Sequence, residues 1–271
     1  MKTVLALLTI VTVTGFAEAQ MRDNRDKQLN CEGTYGDRAR SCEVRETTLG
    51  PSGKLEIEPG HNGGITVRGW SQTSVLVRAR VEAWAANDAD AQRLTSQIRV
   101  DTPGGVIRAT GPDTNGFFSG NQGEGWAVSL EVFAPWSTDL KLDSHNGGIT
   151  VSDIRGRIEF QAHNGGVHLA RLAGDVSGET HNGAIQMELQ GNSWEGRQLD
   201  LSSYNGAVTL SMPAAFSAAL ETHSSRGRVS SDFPINVTGR IDLSDMHFNI
   251  GSGGPLIKIS THNGGIRLRR M

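Results

Sequence analysis

Cysteine is almost missing from this chain, which holds two, Cys31 and Cys42, in 271 residues. Without a Cys-x-x-Cys pair there is no dithiol redox centre, and two thiols alone do not make a structural zinc site. In an oxidising compartment the pair reads as a local disulfide closing a small Gly- and Arg-containing loop. Proline (8) and aromatics (6%) are also scarce, which excludes a proline-rich linker protein. Charge of one sign is not in excess: the formal net is −3. That removes the electrostatic reason to invoke nucleic acid or an anionic membrane as partner. No apolar run beyond residue 17 reaches transmembrane length. Equally absent are a Gly-x-Ser-x-Gly elbow, a His-Glu-x-x-His helix, a phosphate-binding loop and the Gly-Gly-x-Gly-x-Asp calcium repeat.

What is present begins with an export signal. Lys2, the short apolar run Val4 to Ala17 and the small residues of Ala17-Glu18-Ala19 predict a signal peptide over 1–19, cleaved before Gln20. The mature chain is then exported, to periplasm, cell surface or medium. Residues 20–51 read as a polar, mostly irregular lead-in tied by Cys31–Cys42. Residues 52–143 mix strand and helix. "KLEIE" at Lys54 and "SVLVRARVEAW" at Ser74 alternate as half-buried strands do. "NDADAQRLTSQIRV" from Asn87 changes period: Asn87 caps, Asp88 and Asp90 favour the first turn, and Ala91, Leu94 and Ile98 share a face. "VIRAT" and "WAVSLEVFA" return to strand, around a loop at 111–125 whose two Phe are expected beneath the sheet. The sequon at Asn236 matters only in a glycosylating pathway.

Glycine is plentiful, 34 residues, and over 144–271 it falls in a repeat. "HNGGITV" occurs at His61 and again at His145; "HNGGVHL" follows at His163, "HNGAIQM" at His181, "YNGAVTL" at Tyr204, a degenerate "SRGRVSS" at Ser225, and "HNGGIRL" at His262. After each corner two apolar residues flank a polar one, as Ile149 and Val151 flank Thr150. A second turn signal lies midway, at Ile154 and Leu172. Such short units bury an apolar face only by stacking, which predicts an all-β fold: a β-solenoid of short coils preceded by a strand-helix-strand region. Asn-Gly also makes the two-residue turn of an antiparallel hairpin, so a meander or barrel stays open. The 37-residue step from Ser225 to His262 reads as a coil with a looped-out insert.

The repeated Asn-Gly-small-Ile/Val-x-Val/Leu units, the strand-helix-strand region and the closing "STHNGGIRLR" resemble the bacterial DUF4097 group, whose members carry an adhesin label. The likeness spans roughly Leu55 to Leu268. It implies a repetitive, solenoid-like domain on an exported or envelope protein, and it carries over no catalytic residue.

The Asn-Gly pairs (Asn62-Gly63, Asn146-Gly147, Asn164-Gly165, Asn182-Gly183, Asn205-Gly206, Asn263-Gly264) are read as structural corners. Positive φ suits both residues, and stacked asparagines can pass amide hydrogen bonds from coil to coil. If the coils stack in register, His145, His163 and His181 form a column near 4.8 Å spacing, continued by Tyr204. Three functional readings follow. The first is a non-enzymatic binding or scaffold module with no cofactor, presenting Thr150, His168, Gln186, Thr209 and Arg267 to an envelope polymer, carbohydrate or protein. The second is a β-helical polysaccharide lyase or glycosidase, for which Asp153, Glu159, Asp175, Glu179, Glu188 and Asp200 supply carboxylates but no recurring pair. The third is metal binding by the histidine column, which lacks further ligands. The first is preferred.

Overall fold

The computed structural model describes residues 29–31, 38–114, 123–234 and 244–271. The signal peptide, the two Phe of the 111–125 loop and the Asn236 sequon lie outside the described residues. Chain order begins with β1 (Ala39–Leu49), β2 (Lys54–Glu58), β3 (Ile65–Trp70) and β4 (Val75–Ala85). Helix α1 (Asp88–Gln97) is followed by β5 (Arg99–Asp101), β6 (Val106–Thr110) and β7 (Gly125–Pro135). The repeat then runs β8 (Asp139–Asn146), β9 (Ile149–Ser152), β10 (Ile158–Asn164), β11 (Val167–Ala170), β12 (Val176–Thr180) and β13 (Ile185–Glu188). It ends with β14 (Leu199–Ser203), β15 (Val208–Met212), β16 (Ala218–Ser224), β17 (Val229–Ser231), β18 (Asp245–Ile250), β19 (Leu256–Thr261) and β20 (Ile266–Arg270).

Two ten-stranded sheets result. Sheet A has the order β1-β4-β7-β3-β9-β11-β13-β15-β20-β17, and sheet B the order β18-β16-β19-β14-β12-β10-β8-β2-β6-β5. Each repeat coil gives one strand to each sheet, and neighbouring coils pair in parallel without slippage. Ile149, Val167, Ile185, Val208 and Ile266 are partners along sheet A. Leu140, Ile158, Val176, Leu199 and Ile257 are partners along sheet B. All ten are at most 2% exposed. Parallel pairing cannot arise from two-residue hairpins, so the repeat is a β-solenoid and not a meander. Where Phe160 enters the core, its partner in the next coil is Gly178, and a Cβ there would strike the phenyl ring.

Order in space departs from order in sequence at both ends. The last coil, β19 and β20, sits between β14/β15 and β16/β17, pairing with both. The chain therefore passes over one layer between β15 and β16, and the 37-residue step turns back through antiparallel β18 and fills that gap. It is not a looped-out coil. At the other end β2/β3 lies between β8/β9 and the earlier layer formed by β6 and β7. "HNGGITV" at 61 and at 145 are thus direct neighbours, with Gly63 N donating to Asn146 O at 3.0 Å.

The lead-in differs from expectation. Ala39–Leu49 is an eleven-residue strand, antiparallel to β4 at the edge of sheet A. Its polar sequence suits an edge strand with solvent on one side, a setting that blurs apolar periodicity. The Cys31–Cys42 disulfide joins the segment before β1 to this strand. Helix α1 starts at Asn87, whose side chain accepts from Asp90 N at 3.0 Å. It carries no basic residue in its last turn. Arg45 of β1 supplies that charge, donating to Ile98 O (2.6 Å) and Thr95 O (3.0 Å) at the negative end of the helix dipole. No helix among the described residues is long and apolar enough to cross a membrane.

The intercalated last coil has a measurable consequence. Ending the chain at Gly254 is expected to strand β16 and β17 without their parallel partners, and β18 with them, while β14 and β15 keep theirs on one side and the coils before them on both. Limited proteolysis should then cut after Pro213 and leave residues 39–212 protected. A terminal coil that merely ended the stack would instead leave 213–254 protected as well.

Candidate functional site

The His-Asn-Gly corner is where the repeat places its polar side chains. None of the motif asparagines has a positive φ, and among the motif glycines only Gly63 does (137°). The left-handed conformation anticipated for this corner is found instead at the second one, at Asp153 (61°), Arg171 (54°) and Gly174 (102°). Asp153 and Arg171 are equivalent positions in adjacent coils. The guanidinium of Arg171 bridges both carboxylate oxygens of Asp153 at 2.6 Å, which holds Arg171 above its ordinary pKa through that hydrogen bond.

Glycine at the first corner answers a different need, space. A Cβ on Gly147, Gly165, Gly183, Gly206 or Gly264 would fall less than 3.0 Å from the carbonyl of the equivalent glycine one layer away. The next position is roomier: a Cβ on Gly166 would lie 3.6 Å from Ala184 O. Ala184, Ala207 and Arg228 occupy that place in other copies. The asparagines form a continuous ladder. Each Nδ2 donates to the Oδ1 of the preceding layer, from Asn146 to Asn62 (3.0 Å), Asn164 to Asn146, Asn182 to Asn164 and Asn205 to Asn182 (2.8 Å each), and Asn263 to Asn205 (2.7 Å).

One participant escaped the sequence reading. The residue before the ring is Ser144, Thr180, Ser203 or Thr261 in four copies, and Ser224 holds the same place before Ser225 in the degenerate copy; each is at most 2% exposed. Their hydroxyls donate to motif-glycine carbonyls at 2.8–3.2 Å. The signal was printed as "SHNG", "THNG" and "SYNG"; a buried hydroxyl needs such a partner, since an unmet one costs about 1–3 kcal/mol.

The rings stack as anticipated, and the column is longer than the three candidate histidines. Centroids are 4.3 Å apart for His61–His145, 4.8 Å for His145–His163, 5.1 Å for His163–His181, and 4.8 Å for both His181–Tyr204 and Tyr204–His262. The middle rings are parallel within 1–4°. Nitrogen lone pairs lie in the ring plane, so parallel imidazoles send them along parallel lines that do not converge on one ion. Among the described residues no group of three or more His, Cys, Asp or Glu is placed to hold a metal.

Beside the column, the outer face of sheet B carries a groove along the solenoid axis. One part, about 530 Å³, is walled by His163, His181, Tyr204 and His262; a second, about 510 Å³, reaches Glu159 and Asp200. Both share Asp143, Gln161, Glu179 and Ser202, which lie in one row across β8, β10, β12 and β14. Of the six candidate carboxylates, Asp153, Glu159 and Asp175 are tied to Arg171, Arg157 and Arg197, and Glu188 lies on sheet A. Glu179 and Asp200 are brought together in the groove. Burial, more than the neighbouring Glu221 and against Lys258, holds the Asp200 carboxyl above its usual range. The row Thr150, His168, Gln186, Thr209 and Arg267 faces outward on the opposite sheet.

No protein-family model matches the chain, and no curated protein does. Solved structures do. It is similar to a candidate cell-adhesion protein from Clostridium sporogenes (TM-score 0.46, 14% identity, covering 85% of this chain and 100% of the other). It is also similar to a candidate adhesin from Bacteroides fragilis (0.34, 10%, 84% and 97%) and a candidate lipid-binding protein from Parabacteroides distasonis (0.29, 9%, 84% and 96%). Likenesses this distant assign no function.

Two outcomes test the corner. Gly165→Ala is expected to destabilise by about 1–3 kcal/mol through overpacking, and Gly166→Ala by less than about 1 kcal/mol, read from urea midpoints. The ring column should also respond to pH. Burial, then the charges of His61 and His163, lower the His145 pKa, with Asp143 opposing. The unfolded chain then binds more protons than the native one in mildly acidic solution, so stability is full above the unfolded histidine value near 6.5 and is lost as pH falls below it. The melting temperature is expected to be lower at pH 5 than at pH 7.5, and His145→Gln should narrow the difference.

Proposed function

We propose that this chain is an exported, non-enzymatic β-repeat binding module of the adhesin-like kind, related to the DUF4097 group, and that the sheet B groove is its ligand site. The observation that carries this reading is the unbroken column of six rings, four of which (His163, His181, Tyr204 and His262) wall a groove lined by Asp143, Gln161, Glu179 and Ser202. Stacking occupies the ring faces and leaves their edges as the polar contacts. Imidazole and phenol edges both donate and accept, as do the amide and hydroxyls of the floor. Such a surface suits an extended, hydroxyl-rich polymer lying parallel to the axis, with a carbohydrate of the envelope as the chemistry of choice. The resemblance through the repeated corner supports the family, and the apolar leader with the disulfide supports export to an oxidising compartment.

A second reading rests on one pair. Glu179 and Asp200 are diagonal neighbours on adjacent strands, roughly 7–8 Å apart by strand geometry. Inverting glycosidases space their carboxyl groups at about 6.5–9.5 Å, with the acid held protonated above its usual range. A panel of neutral polysaccharides separates the readings. Binding without release of reducing ends, weakened at least about tenfold by Glu179→Ala and left intact by Asp200→Asn, is expected for the module. Turnover abolished by Asp200→Asn would replace it with the hydrolase.

A further inference from the structure

Several cations on the outer faces of the two sheets are held in ion pairs. On sheet A, Arg40 and Arg80 meet Glu82, Arg68 and Arg78 meet Glu131, and Arg171 meets Asp153. On sheet B, Arg108 meets Glu58, Lys141 meets Glu56 and Lys258 meets Glu221. Arg267 and Arg269 of β20 are both exposed, and neither is in an ion pair among the described residues. They sit at alternate positions of one strand, so both face outward, about 6.6 Å apart. Together they line a depression of about 180 Å³ on the outer face of sheet A.

The surroundings define what fits there. In register with Arg267 are Thr209 and Ser230 on the two adjoining strands, then Gln186 and His168 on the next two beyond Thr209; in register with Arg269 are Ser211 and then Glu188. Glu188 is two strands from Arg269, about 10 Å between backbones, and the two are not in an ion pair among the described residues. Main-chain N–H groups are spent in the sheet ladders, so anion recognition falls to the two guanidinium forks, which match carboxylate or sulfate oxygens in bidentate fashion. The neighbouring hydroxyls, amide and imidazole supply donors and acceptors for uncharged hydroxyl groups. None of the exposed large apolar side chains of the described residues, Val44, Trp136, Tyr204, Leu256 and Met271, lines the depression, which leaves no wedge for acyl chains.

We propose that this depression is a second binding site, for an anionic polysaccharide, with Arg267 and Arg269 holding its acidic groups and Thr209, Gln186 and His168 its hydroxyls. It is separate from the sheet B groove in face, residues and ligand charge, so it stands or falls independently of the function proposed above.

Titration calorimetry of the full mature chain at low salt tests it, with dextran sulfate, polygalacturonate and uncharged dextran as probes, and with anionic phosphatidylglycerol vesicles. Binding of dextran sulfate or polygalacturonate at least about tenfold tighter than dextran, and weakening with salt, is expected; which of the two binds identifies sulfate or carboxylate as the recognised group. The double variant Arg267→Gln, Arg269→Gln should lose at least about tenfold in affinity with an unchanged melting temperature. The corresponding double Lys variant should retain part of it, and Glu179→Ala all of it. Equal affinity for dextran, unchanged binding by the double Gln variant, binding to vesicles alone, or no binding to any probe would overturn the proposal.

Discussion

At each His-Asn-Gly corner, one backbone rests directly on the next. The motif glycine of one layer lies against the carbonyl of its equivalent in the adjacent layer, at a distance no Cβ permits. This contact sets the layers at the spacing of a parallel sheet, and the rest of the molecule takes its register from there. With the layers so spaced, asparagine amides meet end to end, rings stack, and a buried hydroxyl closes the carbonyl that the corner would leave unmet. Each ladder bond contributes only about 0.5–1.5 kcal/mol. Their weight lies in being repeated at the same offset, because a slipped layer would forfeit amide, ring and hydroxyl contacts together with the inward Ile/Val columns.

A stack of identical layers has a difficulty at its ends, where open strand edges invite further pairing. Here the first and last repeat coils in sequence are kept away from those edges by reordering. The first coil in sequence and the last are each gripped between two other layers, so neither end of the repeat can peel away as a terminal coil. Beyond them the pairing turns antiparallel, through β4 and β1 at one end and β18 at the other. The first of these is reinforced by helix α1, by Arg45 at its C-terminus and by the disulfide.

The two outer faces then differ although the same repeat builds both. On sheet B the column of rings and the acidic and amide row produce a groove that runs with the axis. On sheet A the equivalent positions are polar, as at His168, Gln186 and Thr209, until β20 brings two arginines that are in no ion pair among the described residues. Because β20 is inserted rather than terminal, those arginines lie beside Thr209 and Ser211 with β17 on their other flank.

Much of this was legible in the residues. The alternation after each corner, the second turn, the Asn87 cap, the asparagine ladder and the ring column follow from local spacing, which a solenoid converts directly into contacts between neighbours. Three features were not legible. The φ values at the corner were misassigned because Asn-Gly serves both for left-handed turns and, as here, for close approach; only the neighbouring layer distinguishes them. The strand at Ala39–Leu49 was hidden because an edge strand keeps polar residues on both sides. The intercalated coils were hidden because identical motifs fit any slot equally well by local pattern. The sequence by itself determined the coil, its inward columns and its corner ladders, since these depend on residues a fixed number of positions apart. Tertiary structure alone decided which coil neighbours which at the two ends of the stack, and therefore where Arg267 and Arg269 come to lie, since that placement depends on a chain reversal that no periodic signal records.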